Sequence, residues 1–195
     1  MFTGIIEEVG QVVAIDKEAG NIHFTIAAGL SSGFKIDQSV AHNGCCLTVV
    51  AQNEQQHVVT AIHETLIKTN LGTWQLGTKV NIERCMQLGG RLDGHMVQGH
   101  VDCVGTCTEV LDENGSWRFT FQHPDSFVTV EKGSITVNGT SLTVVDAQKE
   151  QFSVCIIPYT YEHTNFNQIK AGTIVNLEFD IIGKYVARYL NLQQA

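Results

Sequence analysis

Side chains with reactive ends stand at four places where two copies of one pattern disagree. Cys46 aligns with Ser141, Ile5 with His100, Asp37 with Lys132 and Cys85 with Asp180. A thiol or hydroxyl becomes a nucleophile once a base takes its proton, and imidazole suits that task near neutral pH. A carboxylate or an ammonium can move a proton or bind a polar substrate. Cys46, His100, Lys132, Ser141 and Asp180 therefore read as an acid–base and nucleophile set. Each also has a plain structural use. Cys46 lies in an apolar strand and could be a small buried filler. Ser141 could bond local backbone, and Asp180 could cap the helix that follows it. His100 could be a surface or structural residue, and Lys132 a solvated charge. The histidines show no H-E-x-x-H or other tight ligand spacing, so no metal is assigned. Gly89-Gly90 is not a G-x-G-x-x-G loop, and no G-x-x-x-x-G-K-[ST] occurs.

The pattern that exposes these differences is a duplication. Shifted by 95 residues, the chain aligns with itself without a gap, with about 27 of roughly 90 positions identical. Asn43-Gly44-Cys45-Cys46-Leu47-Thr48-Val49-Val50 falls on Asn138-Gly139-Thr140-Ser141-Leu142-Thr143-Val144-Val145. Two copies are too few for a solenoid, and each is long enough to hold its own core. The expected domains are residues 1–95 and 96–181, with a tail at 182–195. The Gly-rich stretch at 88–94 suits a linker. A duplicated binding fold predicts two related ligand sites. Shared positions keep the fold or a common contact, and divergent ones divide a task.

Short runs rich in Val, Ile, Thr and Phe, bounded by Gly, Asn or Asp, predict strands. Examples are residues 11–15, 23–27, 46–51, 57–62 and 79–84. Their spacing predicts an all-β antiparallel barrel or sandwich in each half. Short helices are predicted at 65–71 and 160–166. In the tail, Ile182, Tyr185, Val186, Tyr189, Leu190 and Leu192 follow the spacing of an amphipathic helix. It could cap its own barrel or drive oligomerisation. The 195 residues carry a net charge of −8 and no Lys/Arg cluster, which speaks against nucleic acid. No stretch is long and apolar enough to span a membrane, and the N-terminus does not read as a secretory signal. A cytoplasmic location is expected, with the six cysteines as free thiols.

The chain resembles the riboflavin synthase family. The resemblance rests on the opening Met-Phe-Thr-Gly-Ile and on Ser39-Val40-Ala41-His42-Asn43-Gly44-Cys45-Cys46-Leu47-Thr48. It extends through Glu64-Thr65-Leu66, Thr69-Asn70-Leu71-Gly72 and the segment from Gly94-His95 to Gly99-His100-Val101. Lys132-Gly133-Ser134, Asn138 to Thr143, Ile157-Pro158 and Asn176-Leu177-Glu178-Phe179-Asp180 complete it. It covers nearly the whole chain. It implies two tandem homologous six-stranded Greek-key barrels plus a C-terminal amphipathic helix that helps build a homotrimer. It implies a dismutation of two 6,7-dimethyl-8-ribityllumazine molecules into riboflavin and 5-amino-6-ribitylamino-uracil by transfer of a four-carbon unit, with no cofactor. In the family each active site joins one subunit's N-terminal barrel to a neighbour's C-terminal barrel. Some members associate with lumazine synthase.

Carried onto this sequence, Cys46 with Ser39, or Ser141, would supply or position the nucleophile. A bound water could also do so. His100 and Thr143 would assist proton transfer, Asp180 would orient or act as a base, and Lys132 would contact substrate. The first pocket is expected from Gly4, Ile5, Ile6, Cys46, Leu47, Thr48, Thr60, Ala61, Ile62, His63, Glu64 and Thr65. The second is expected from Gly99, His100, Val101, Ser141, Leu142, Thr143, Ile157, Pro158, Tyr159, Thr160, Tyr161 and Glu162. The run from Tyr159 to His163 departs from the Glu-Thr-Leu-Glu type seen in some members, which bears on ring and ribityl contacts there. Non-catalytic lumazine or flavin antenna proteins share the fold and are the alternative; the full reactive set here favours the enzyme. Flavoprotein reductase barrels have related topology, but this chain lacks their nucleotide-binding partner domain.

Overall fold

Alternation writes the barrels. In β5 (Gln56–Ala61) every second residue, His57, Val59 and Ala61, is buried, as a strand with one core-facing side requires. With β1 (Glu8–Glu18), β2 (Asn21–Ala27), β3 (Ser39–His42), β4 (Cys45–Gln52) and β6 (Lys79–Arg84) it closes an antiparallel barrel in the order β1-β2-β5-β4-β3-β6. The second half repeats this with β7 (Cys103–Asp112), β8 (Trp117–Gln122), β9 (Ser134–Val137), β10 (Thr140–Val145), β11 (Gln151–Ile156) and β12 (Ile174–Phe179). These are the two six-stranded barrels the resemblance implies, seen in a computed structural model that describes residues 1–193. Each barrel has its own core. Phe24, Ile26, Val49, Val59, Leu71 and Ile82 fill the first; Phe119, Phe121, Phe152, Phe166 and Leu177 fill the second. Closure gives every strand of each barrel two neighbours.

The short helices sit slightly earlier than predicted. α1 (His63–Lys68) and α2 (Pro158–His163) are followed by 3-10 turns at Asn70–Thr73 and Asn165–Gln168. Thr69 and Thr164 interrupt the helices because each has extended backbone and accepts the N–H two residues on. The tail is α3 (Ile181–Gln193). Its apolar residues Ile182, Tyr185, Val186, Tyr189, Leu190 and Leu192 are all more than half exposed, so it does not cap its own barrel with them.

β6 and β12 break the alternation, since both faces of each are buried. Val80 and Ile82 point into the core, while Asn81 and Glu83 meet the rest of the chain. Asn81 lies in a buried carboxamide network on the pseudo-twofold axis between the barrels. Its side chain donates to Asn138 O (3.0 Å) and Asn165 Oδ1 (3.0 Å); its counterpart Asn176 donates to Asn43 O (2.9 Å). Backbone N–H groups of Asn70 and Asn165 donate to Asn176 Oδ1 (2.7 Å) and Asn81 Oδ1 (2.8 Å). Such groups hold the barrels together only because their bonding capacity is met inside the interface.

At the same axis the tips of two hairpins meet. Asn43-Gly44 and Asn138-Gly139 are two-residue turns with positive φ at both positions, the geometry that matches the strand twist. A Cβ on Gly44 would lie 2.7 Å from Gly139 N, and one on Gly139 would lie 2.6 Å from Gly44 N. Gly44→Ala is therefore expected to cost about 2–4 kcal/mol through backbone strain and a clash between barrels. Thermal unfolding checks this; an unchanged melting temperature would show that the tips can part freely.

Candidate active site

The N-terminal residues and the inter-barrel segment cross over. Phe2 and Val97 pair as an isolated antiparallel bridge, with Phe2 N–H donating to Val97 O (2.7 Å) and Val97 N–H to Phe2 O (3.1 Å). From this bridge each strand end reaches the opposite barrel. Ser141 N–H of β10 donates to Gly4 O (2.8 Å), and Cys46 N–H of β4 donates to Gly99 O (2.8 Å). Val101 packs against the core of the first barrel. The expected grouping by sequence half is corrected here. Gly99, His100 and Val101 belong with Cys46, Leu47 and Thr48, whereas Gly4 belongs with Ser141, Leu142 and Thr143. The reason is that both segments precede β1 or β7 and leave their own barrel before its first strand.

At the first location, Cys46 is half-buried and lies opposite Ala41 in the β3–β4 ladder, two rows from Ser39 opposite Thr48. Burial pushes the Cys46 thiol up, against a hydrogen bond with Ser39 that pulls it down. A thiol held in its protonated form is a poor nucleophile. Thr48 is exposed beside it, and His100 is exposed on the segment that lies against Cys46. Two expected side chains are not available: Leu47 and Ala61 are buried in the barrel core and can offer only backbone. The Thr60 hydroxyl is taken by His23 Nδ1 at 2.8 Å. Ile62, His63 and Glu64 are exposed at the start of α1, with Thr65 partly buried behind them.

The second location holds the strongest constellation. Ser141 Oγ lies 2.7 Å from His95 Nδ1. Burial lowers the His95 pKa, opposed by the nearby Asp180 carboxylate. A neutral imidazole with its proton on Nε2 can accept a hydrogen bond from the Ser141 hydroxyl, the geometry a base and a nucleophile require. Asp180 also caps α3, with Ile182 N–H donating to Oδ1 at 2.9 Å. Its structural and electrostatic uses coexist. His95 lies outside the aligned copies, in the segment that joins them. Comparing halves could not find it; its presence in the Gly94-His95 motif was the available signal.

Thr143 is exposed two residues beyond Ser141, pairing across with Ser134. The structure separates Thr143 from His100, which serves the other location. Lys132 is solvent-exposed and 3.8 Å from Glu131, in a left-handed turn of φ +64° whose N–H bonds Val144 O. Ile5 is exposed and Ile6 partly buried. Ile157, Pro158, Tyr159 and Glu162 are exposed, and Thr160 gives its carbonyl to the Thr164 hydroxyl. Tyr161 is partly buried: it stacks on Trp117, with ring centroids 3.9 Å apart, and packs on the second core. Among the described residues no group of His, Cys, Asp and Glu is arranged to hold a metal ion. No described helix is long and apolar enough to cross a membrane.

The Lumazine binding domain family matches the chain twice, at residues 3–85 and 98–180. A riboflavin synthase of Actinobacillus pleuropneumoniae is 42% identical over 193 residues, covering 97% of this chain and 90% of the relative. One from Bacillus subtilis (strain 168) is 37% identical over 194 residues, covering 98% and 90%. A crystal structure of LumP complexed with riboflavin superposes with a TM-score of 0.86 at 21% identity, over 92% of this chain and 100% of that one. LumP complexed with 6,7-dimethyl-8-(1'-D-ribityl) lumazine gives 0.84 at 20% identity, over 92% and 99%. At that identity the likeness is one of fold.

Proposed function

The chain belongs to the riboflavin synthase family, and from that premise we propose that it joins two molecules of 6,7-dimethyl-8-ribityllumazine, one giving its four-carbon unit to the other. The products are riboflavin and 5-amino-6-ribitylamino-uracil. Their atoms sum to those of two lumazines, so the step needs no net water and no oxidant. The observation that carries this reading is a pair of related but unequal side-chain groups. Thr48 and Thr143 stand at equivalent repeat positions, while Cys46 lies against the His100 segment in one group and Ser141 against His95 in the other. A reaction between two copies of one substrate needs like pockets for binding and unlike residues for donor and acceptor.

Ser141, deprotonated by His95, is suited to add at C7 of one lumazine. His100 beside Cys46 is suited to move the proton of the 7-methyl group of the other. Holding two ring systems in register supplies much of the acceleration. The carbonamide-locked interface fixes the clefts of one chain relative to each other. The exposed apolar face of α3 then supports a homotrimer in which clefts of neighbouring subunits face one another.

The test is incubation of the purified protein with 6,7-dimethyl-8-ribityllumazine alone. Catalytic formation of riboflavin supports the proposal. Tight binding with unchanged lumazine would instead make the chain an antenna-type binder.

A further inference from the structure

The structure assigns Glu83 and Glu178 as crossed positioning residues, each rooted in one barrel and each setting the cleft of the other. The inference rests on the reading that the clefts beside Cys46 and Ser141 bind lumazine and flavin rings.

Glu178 belongs to β12 and is 2% exposed. Its Oε1 accepts Gln98 N–H (2.7 Å), and its Oε2 accepts both Gly99 N–H (2.9 Å) and His100 N–H (2.8 Å). The segment so clamped turns its other edge to the first barrel, where Gly99 O receives Cys46 N–H and Val101 joins the core. Glu83 of β6 is 4% exposed and mirrors this. It accepts Thr3 N–H (2.7 Å), the Thr3 hydroxyl (2.8 Å) and Gly4 N–H (3.0 Å). Gly4 O in turn receives Ser141 N–H of the second barrel.

Only a carboxylate fits these places. Three donors converge on two acceptor oxygens, and a side-chain amide would aim its own N–H groups at one or two of them. Charge-assisted bonds to backbone N–H are also the stronger kind. Burial raises both carboxyl pKa values, and the converging donors oppose that rise. The segments have no slack. Gly99 has φ +80°, and a Cβ there would lie 2.7 Å from both Cys46 Cβ and Phe2 Cε2. A displacement of the clamp must therefore move His100 relative to Cys46. A residue that merely stabilised its own barrel would act on its own cleft. The crossed geometry predicts the opposite.

Riboflavin titration of the 15N-labelled full chain, read at the Thr48 and Thr143 amides, tests this. Glu178→Gln is expected to weaken the response at Thr48 about tenfold or more and leave Thr143 within about twofold. Glu83→Gln is expected to do the reverse. Loss confined to the altered residue's own barrel, or equal loss at both, overturns the assignment. Should a Gln variant fail to fold, the Asp variant, which keeps the charge but withdraws it from the donors, is read in the same way. If riboflavin moves neither amide in the unaltered protein, the binding reading fails, and amide exchange then judges the clamp separately. Glu178→Gln should speed exchange at Cys46 and spare Ser141; no difference between the two overturns it.

Discussion

Ser141→Ala is expected to lower turnover about 10²–10⁴-fold while leaving lumazine binding within a few-fold, because it removes a hydroxyl poised against a base. His95→Gln should fall in the same range, and the double variant should be little worse than either single one, as members of one unit are not additive. The reasoning is geometric. The 2.7 Å contact between Ser141 Oγ and His95 Nδ1 is in place before substrate arrives. It also sets a pH dependence. His95 must be neutral to accept the proton, and burial holds its pKa below the usual value of about 6.5. Activity should therefore hold as pH falls past about 6.5 and decline only at lower pH. Steady-state kinetics across pH with both variants checks this. Unchanged turnover in Ser141→Ala would remove the hydroxyl from the chemistry.

The second large effect is on stability in acid. Inside the first barrel, Ser31 Oγ lies 2.8 Å from His57 Nδ1, His57 Nε2 lies 2.8 Å from His42 Nε2, and His42 Nδ1 lies 3.1 Å from Val40 O. A carbonyl can only accept, so His42 carries its proton on Nδ1. His57 then donates from Nε2 and accepts from Ser31. Both rings are neutral and fully enclosed. Burial, with repulsion from His57, lowers His42 to about 3; burial lowers His57 to about 4, against the pull of Glu8. Both folded values lie below the unfolded value of about 6.5, so the unfolded chain takes up protons first. Full stability is present above about pH 6.5 and is lost as pH falls from there towards about 4 for His57 and about 3 for His42, where the folded rings take up protons too. By pH ~4 the two rings together withdraw several kcal/mol, a large share of the roughly 5–15 kcal/mol of a typical domain. The second barrel has Val137 and Phe152 at the equivalent places, both fully buried. His42→Val with His57→Phe, and Ser31→Ala to avoid an orphaned hydroxyl, should lower the midpoint of acid unfolding by about one pH unit or more. Tryptophan fluorescence reports it, since Trp74 lies in the first core and Trp117 against the second. An unchanged midpoint would place the acid-sensitive groups elsewhere.

The barrels are legible in the sequence because duplication and alternation are local signals. The Asn-Gly pairs at Asn43 and Asn138 and the strand patterns around them follow from nearest-neighbour chemistry. The crossing of Thr3–Ile5 and Gln98–Val101 is not local. It depends on a bridge between Phe2 and Val97 that no periodicity announces. For that reason the reactive residue types are readable from the sequence, but their grouping into two locations is not. His100 joined Cys46 rather than Ser141, and His95, outside the repeat, took its place. Under the 95-residue shift Asn81 falls on Asn176 and Glu83 on Glu178, yet their burial comes from the opposite barrel and N-terminal segment, which one strand's pattern cannot show. Tyr161 illustrates the converse: its place in a short helix was foreseen, but the helical turn aims its ring at Trp117.

The most direct test of the central claim follows the four-carbon unit itself. The protein is given equal amounts of unlabelled 6,7-dimethyl-8-ribityllumazine and the same compound with heavy carbon at C6, C7 and both methyl groups, with nothing else added. Riboflavin should form with none, four or eight heavy carbons in a one-to-two-to-one pattern, and each should be matched by one molecule of the pyrimidine. That pattern requires two lumazines per product. No riboflavin, or riboflavin lacking the eight-label species, would contradict transfer between two copies of one substrate.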